Sequence, residues 1–256
     1  MRAFLACIRK EGLELLRSGR LLILLLIFVF LGILSPATAK ITPWLLETMA
    51  DSLAGSGITV HAVNITALDS WMQFFKNIPL ELIAFILLES GIFTGEYQSG
   101  TLILSLTKGL DRRTVLLSKA VMLCALWTLC YWLCFGITYA YSAIYWDNAV
   151  ARHLLLSAVC WWLFGLWVTA LTVFFSAVAK NGTAVLAGTG VCVLVSVMLG
   201  MLPKLKAYLP SFLTDGYSLV SGFAAPREFL PAALITLALG ILALAFSFPV
   251  FSKRQL

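Results

Sequence analysis

Long runs of apolar residues separated by shorter polar stretches set the pattern of this chain. A helix in hydrocarbon must bond every backbone N–H and C=O internally, so a core roughly 30 Å thick calls for about 20 apolar residues per crossing. Six stretches meet that demand, at residues 21–39, 78–95, 120–145, 154–179, 183–202 and 229–251. They predict an all-α membrane protein of six transmembrane helices, organised as one domain over residues 1–256. Ahead of the first run, Phe4, Leu5, Ile8, Leu15 and Leu16 gather broadly on one helical face, with Arg9, Lys10 and Glu14 elsewhere. Residues 1–20 therefore read as an N-terminal amphipathic helix at the membrane interface, the alternative being an extension of the first span. Two connections are long, residues 40–77 and 203–228. In the second, Pro203, Pro210 and Pro226 divide apolar pieces too short to span, which predicts short, re-entrant-like helices before the last crossing.

Composition narrows the class. The chain is 61% hydrophobic and only 12% charged, with a mean hydropathy of +0.97, which excludes an ordinary soluble domain. Its net charge of +6 would suggest nucleic acid in a soluble protein, but the cations sit at the ends of the apolar runs. Arg2, Arg9, Lys10, Arg17, Arg20, Lys108, Arg112, Arg113, Lys119, Lys180, Lys253 and Arg254 fall on one side, and half as many on the other. The positive-inside rule then puts both termini in the cytoplasm, and nucleic acid is not an expected partner. Cys124, Cys130, Cys134, Cys160 and Cys192 lie within apolar runs without CxxC spacing, so neither a disulfide framework nor a zinc site is expected.

A few residues stand out against this background. Glu89 is expected within the hydrocarbon, about 18 Å along the second span, where a carboxylate costs about 3 kcal/mol. It is a candidate intramembrane polar site, either functional or structural. Glu81 is expected near the outer edge, able to snorkel. Ala184, Gly188 and Cys192 recur every fourth residue and are candidate helix contacts, within the chain or between two copies. Trp127, Trp132, Trp161, Trp162 and Trp167 read as packing and interface anchors.

The link between the second and third spans, residues 96–119, carries much of the inner charge. Gly100 permits a sharp turn, Thr101 can cap the segment after it, and Asp111, Arg112 and Arg113 form a charged corner. The run GEYQSGTLILSLTKGLDRRTVLLSK resembles the loop of the ABC type-2 permease family, with Glu96, Gly100, Thr101, Leu102, Arg113, Leu117 and Lys119 in matching places. Six spans, inside termini and the amphipathic start agree with that family as well.

The resemblance implies the membrane-spanning permease of an exporter, paired as a homodimer or related heterodimer in a bacterial cell membrane. Cytoplasmic ATPase subunits would dock on Glu96, Gly100, Thr101, Leu102, Asp111, Arg112, Arg113 and Lys119. The sequence contains no GxxxxGK[ST] phosphate loop, so the chain is expected not to be an enzyme. No catalytic residue, metal or cofactor is assigned to it, ATP and Mg belonging to the partner ATPase. The expected cargo is hydrophobic, amphiphilic or peptide-like, and the export direction comes from the resemblance. The alternatives are a self-contained channel or secondary transporter, which would need more intramembrane charge or inverted repeats, and an intramembrane enzyme, which would need a catalytic pair.

Overall fold

A computed structural model describes residues 2–48, 65–98 and 111–253 of the chain. Every long element among them is a helix, and no strand occurs in the described residues. In chain order these are α1 (Arg2–Arg17), α2 (Arg20–Thr48), α3 (Ala67–Glu89), α4 (Gly91–Gln98), α5 (Arg112–Tyr145), α6 (Leu154–Val178), α7 (Gly182–Gly200) and α8 (Phe229–Lys253). Six of them, α2, α3, α5, α6, α7 and α8, are long and apolar enough to cross a membrane. The protein is an all-α integral membrane protein.

The first helix is separate from the first span. Gly19 adopts φ +72°, a left-handed value that glycine takes without steric cost, and the chain turns there between α1 and α2. Cys7, Glu11 and Leu15 recur every fourth residue and are buried. Leu5, Leu13 and Leu16 stay exposed beside Arg9 and Arg17, a mixed apolar and basic surface that suits a helix at a lipid–water boundary.

The second span begins well before its most hydrophobic stretch. Thr66 and Asp69 form a reciprocal cap, the Thr66 N–H donating to Asp69 Oδ2 at 2.8 Å, and α3 starts at Ala67. Between there and Ile78 the helix is amphipathic: Ala67, Ser70, Trp71, Phe74, Phe75 and Ile78 are buried, and Lys76 is exposed. At about 1.5 Å per residue, Glu81 lies about 21 Å and Glu89 about 33 Å from Ala67. The two carboxylates thus take places other than those expected. Glu81 is fully buried at mid-helix and accepts from Cys134 Sγ at 3.0 Å. Glu89 ends the helix, where Ser90 interrupts it before α4.

The core is aromatic. Trp127 of α5 is fully buried, with ring centroids 6.1 Å from Phe28 of α2, 5.4 Å from Phe85 of α3 and 5.5 Å from Tyr131. Its indole N–H donates to the Trp162 carbonyl of α6 at 3.1 Å, so this tryptophan packs and binds backbone. One proline break in the first span is repaired by a neighbour. Pro36 has no N–H to give the Gly32 carbonyl, and Thr138 of α5 donates to that oxygen at 3.0 Å instead. Replacing Thr138 with valine should cost about 1–3 kcal/mol by orphaning a buried carbonyl; a thermal midpoint equal to the parent's would contradict that role.

The proline-punctuated segment before α8 folds back onto the bundle. Phe212, Leu213, Leu219 and Val220 are buried, and Phe212 stacks on Phe229 with centroids 4.4 Å apart. Ser157 Oγ donates to the Gly216 carbonyl at 2.9 Å, and the Arg152 N–H to that of Val220, also at 2.9 Å. These short turns, Pro210–Thr214 and Gly216–Val220, close one end of the bundle between α3, α6 and α8. A Cβ on Gly216 would stand 2.6 Å from Ser157 Oγ and 2.7 Å from the Phe75 ring. Gly216→Val should therefore destabilise by about 1–3 kcal/mol through overpacking, visible as a lower melting midpoint in detergent.

Candidate functional site

At the end of the bundle opposite those turns, charged side chains from five helices meet. Lys119 of α5 is fully buried, and its ammonium reaches Glu11 Oε2 of α1 at 2.7 Å, Glu96 Oε2 of α4 at 3.2 Å and the Ile92 carbonyl at 3.1 Å. An ammonium has three donors, and all three find acceptors. Glu96 spends its other oxygen on Lys10 of α1. Lys10 also lies 3.5 Å from Glu11 and 3.9 Å from Glu14. Arg20, at the start of α2, links Glu14 at 3.7 Å to Glu89 at 3.6 Å. One continuous network therefore fixes α1, α2, α3, α4 and α5 to one another. Carboxylate oxygens of Glu11, Glu14 and Glu96 lie within 4.8 Å of one another, and Lys10 and Lys119 supply the compensating charge.

Local sequence explains each position. Glu11 occupies the buried stripe of α1 between Cys7 and Leu15, and an acid on that stripe must meet a cation. Lys10 and Glu14 are one turn apart, an i,i+4 pair that leaves both near the network. Arg20 opens α2 after the Gly19 turn and faces the end of α3.

The charges outside the spans shift accordingly. Burial pushes the Glu96 carboxyl up, but the charges of Lys119 and Lys10 outweigh it and hold it below the usual carboxylate range. Burial draws the Lys10 ammonium down, and the bond to Glu96 with the charges of Glu96, Glu11 and Glu14 carries it above the ordinary lysine value. The Glu96 contribution is complete above the unfolded carboxylate pKa of about 4.3 and is lost as pH falls through its lower folded value. The Lys10 contribution is complete below about 10.4 and is lost as pH rises through its higher folded value. We expect α1 to stay docked from roughly pH 5 to 10 and to loosen below about pH 4. Hydrogen exchange of peptides within Arg2–Arg17, corrected for intrinsic pH dependence, reads this, and loosening near neutrality would contradict it.

The structure divides the residues that the sequence assigned to docking. Glu96 and Lys119 face inward and serve the network, because the interior supplies each with an opposite charge that solvent-facing docking residues would lack. Asp111 and Arg113 are exposed at the N-terminal end of α5. Arg112 is half-buried and donates to the Ser252 carbonyl of α8 at 3.0 Å, so that helix end belongs to the same face. Gly100, Thr101 and Leu102 lie outside the described residues. Glu89, expected in mid-membrane, belongs to the charged end as Arg20's partner. From sequence, Lys10, Glu14 and Arg20 read only as interfacial and topology-setting charges, and their role in the network needs the structure. The signal was present in Glu11, a carboxylate on the apolar stripe of an amphipathic helix.

Of the small residues on α7, Gly188 packs within the chain: a Cβ there would stand 2.5 Å from the Phe175 ring of α6. Ala184 is exposed and Cys192 half-buried. A family model described as ABC-2 family transporter protein matches residues 5–214. No curated protein matches the chain.

Proposed function

The chain belongs to the ABC-2 transporter family, and from that premise we propose that it is the permease subunit of an ATP-driven exporter whose hairpin between α3 and α5 receives the stroke of a separate ATPase. An ABC-2 permease associates with an ATPase subunit and with the bilayer. The observation that carries it is the construction of the hairpin root. Exposed Asp111 and Arg113 offer charge to a partner, while Glu96 and Lys119 tie the same hairpin rigidly to α1 and the spans. A displacement that reaches Glu96 and Lys119 is then passed to α1 and the spans through the charged network.

Orientation follows the basic residues, with the network end in the cytoplasm of a bacterial cell and the turns around Phe212 outside. Nucleotide-driven closure of two ATPase subunits would tilt α3 and α5 and change the access of a permease dimer. Such coupling requires the ATP-bound partner to favour one arrangement over the other. ATP and Mg are held by the partner, since this chain carries no phosphate loop. The cargo is hydrophobic, amphiphilic or peptide-like.

Arg113→Glu and Asp111→Lys test docking without touching the buried pairs. Each should lower co-purification of the cognate ATPase roughly fivefold, about 1 kcal/mol at a rim charge, with membrane insertion and melting midpoint kept. Unchanged association in both variants would remove the docking assignment.

A further inference from the structure

The face of α1 turned away from the bundle carries positive charge that no acid of the described chain answers. Leu5, Arg9, Leu13, Leu16 and Arg17 fall within an arc of about 120° opposite the buried Glu11, at about 3.6 residues per turn, and all five are exposed. Arg9, Leu13 and Arg17 follow one another at single turns, which sets the two arginines about 12 Å apart along the helix with a leucine between them. These three side chains line one open recess of about 600 Å³.

Arg9 and Arg17 differ from the other cations at this end of the bundle. Lys10, Arg20 and Lys119 each have a carboxylate partner, and Arg112 has a backbone carbonyl. Neither Arg9 nor Arg17 has an ion pair or a side-chain hydrogen bond among the described residues. The acid that shares their recess, Glu14, is already committed to Lys10 at 3.9 Å and to Arg20 at 3.7 Å. The recess therefore presents a surplus of positive charge. Leu5 and Leu16 are 62% and 61% exposed, apolar surface that a purely aqueous neighbour would leave uncovered, and the first span begins at Arg20, directly after α1. Unpaired cations interleaved with exposed leucines complement acidic headgroups lying over acyl chains. A guanidinium takes a phosphate through two parallel N–H donors. A zwitterionic headgroup brings its own cation, so the surplus charge selects a lipid of net negative charge.

We infer that this face of α1 docks on acidic phospholipid, Arg9 and Arg17 each taking a lipid phosphate while Leu5, Leu13 and Leu16 enter the acyl boundary. The opposite face of the same helix carries Glu11 to Lys119, so lipid charge and the hairpin root act on two sides of one helix. The inference rests on the membrane-spanning fold and not on the transport reading, and its assay contains no ATPase. Arg113→Glu, expected to lose the ATPase, should bind lipid as the parent does.

The test uses the purified full chain in phosphatidylcholine nanodiscs holding a trace of phosphatidylglycerol that carries a photoreactive diazirine high on its acyl chain. Labelling of peptides within Arg2–Arg17 should saturate, should be competed by unlabelled phosphatidylglycerol and should weaken as salt is raised. A phosphatidylcholine probe of the same design should label that segment no more than it labels exposed spans such as α8. Arg9→Gln and Arg17→Gln should each lower the apparent affinity for the acidic probe roughly fivefold, the effect of one cation at an acidic surface, and the double variant should lose the preference. Arg9→Lys and Arg17→Lys keep the charge and should keep most of the affinity. Because neither arginine is paired within the fold, the glutamine variants should melt with the parent in phosphatidylcholine alone. Equal labelling by the two probes, or unchanged affinity in the double variant, would overturn the assignment. A lowered midpoint in phosphatidylcholine would make the arginines structural, and lost ATPase co-purification with lipid affinity kept would give this face to a protein partner; either result overturns it as well.

Discussion

Lys119→Met is expected to destabilise the protein by about 3–5 kcal/mol, the cost of stranding buried charge by removing one partner. Lys119 is fully buried and holds Glu11 and Glu96 together. Without it, Glu11 and Glu96 stand close with Lys10 alone between them, and α1 loses its firmest bond to α5. Melting followed by size-exclusion fluorescence should show a much lower midpoint, and exchange across Arg2–Arg17 should rise. Adding Glu11→Gln removes one stranded charge, and the double variant should recover part of the loss. Equal midpoints for the single variant and the parent would show that the network bears little of the fold's stability.

The second large effect concerns close packing at Gly165. A Cβ there would stand 2.1 Å from Trp127 Cζ2 and 2.5 Å from Nε1, in the wall of a fully buried indole. Even Gly165→Ala must displace the ring, break its bond to the Trp162 carbonyl and disturb its contacts with Phe28 and Phe85. Overpacking of this kind costs about 1–3 kcal/mol, and the lost hydrogen bond about 1 kcal/mol more. Trp127→Phe should relieve the clash, so the double variant should be more stable than the sum of the single changes predicts. Strict additivity in that cycle would mean that the indole and the glycine do not meet.

Much of the architecture was legible because lipid imposes a single rule, a long apolar helix for each crossing. The amphipathic start was legible from the same periodicity. The start of α3 was not, because Asp69, Gln73, Lys76 and Asn77 lower the hydropathy of a helix whose inward face is Trp71, Phe74, Phe75 and Ile78. Misplacing that start exchanged the two carboxylates: Glu81 took the deep position and Glu89 the charged end.

The hairpin illustrates a different limit. Its family pattern located the right segment, yet Glu96 and Lys119 read as docking residues because their partners lie far back in the chain, on α1. A contact between residues that distant leaves no local periodicity. Only the misplaced acid Glu11, on an otherwise apolar stripe, betrayed it.

The central claim is that the hairpin root and α1 move as one piece when a partner ATPase acts on them. Nitroxide-bearing residues at the exposed positions Leu5, Leu117 and Phe223 report it through pulsed electron-spin distance measurements in nanodiscs. With the cognate ATPase and ATP, the distances from Phe223 to Leu117 and to Leu5 should change together while the Leu5 to Leu117 distance stays constant, and ATP alone should do nothing. The same shifts in the isolated chain, or a Leu5 to Leu117 distance that changes as the ATPase closes, would contradict it.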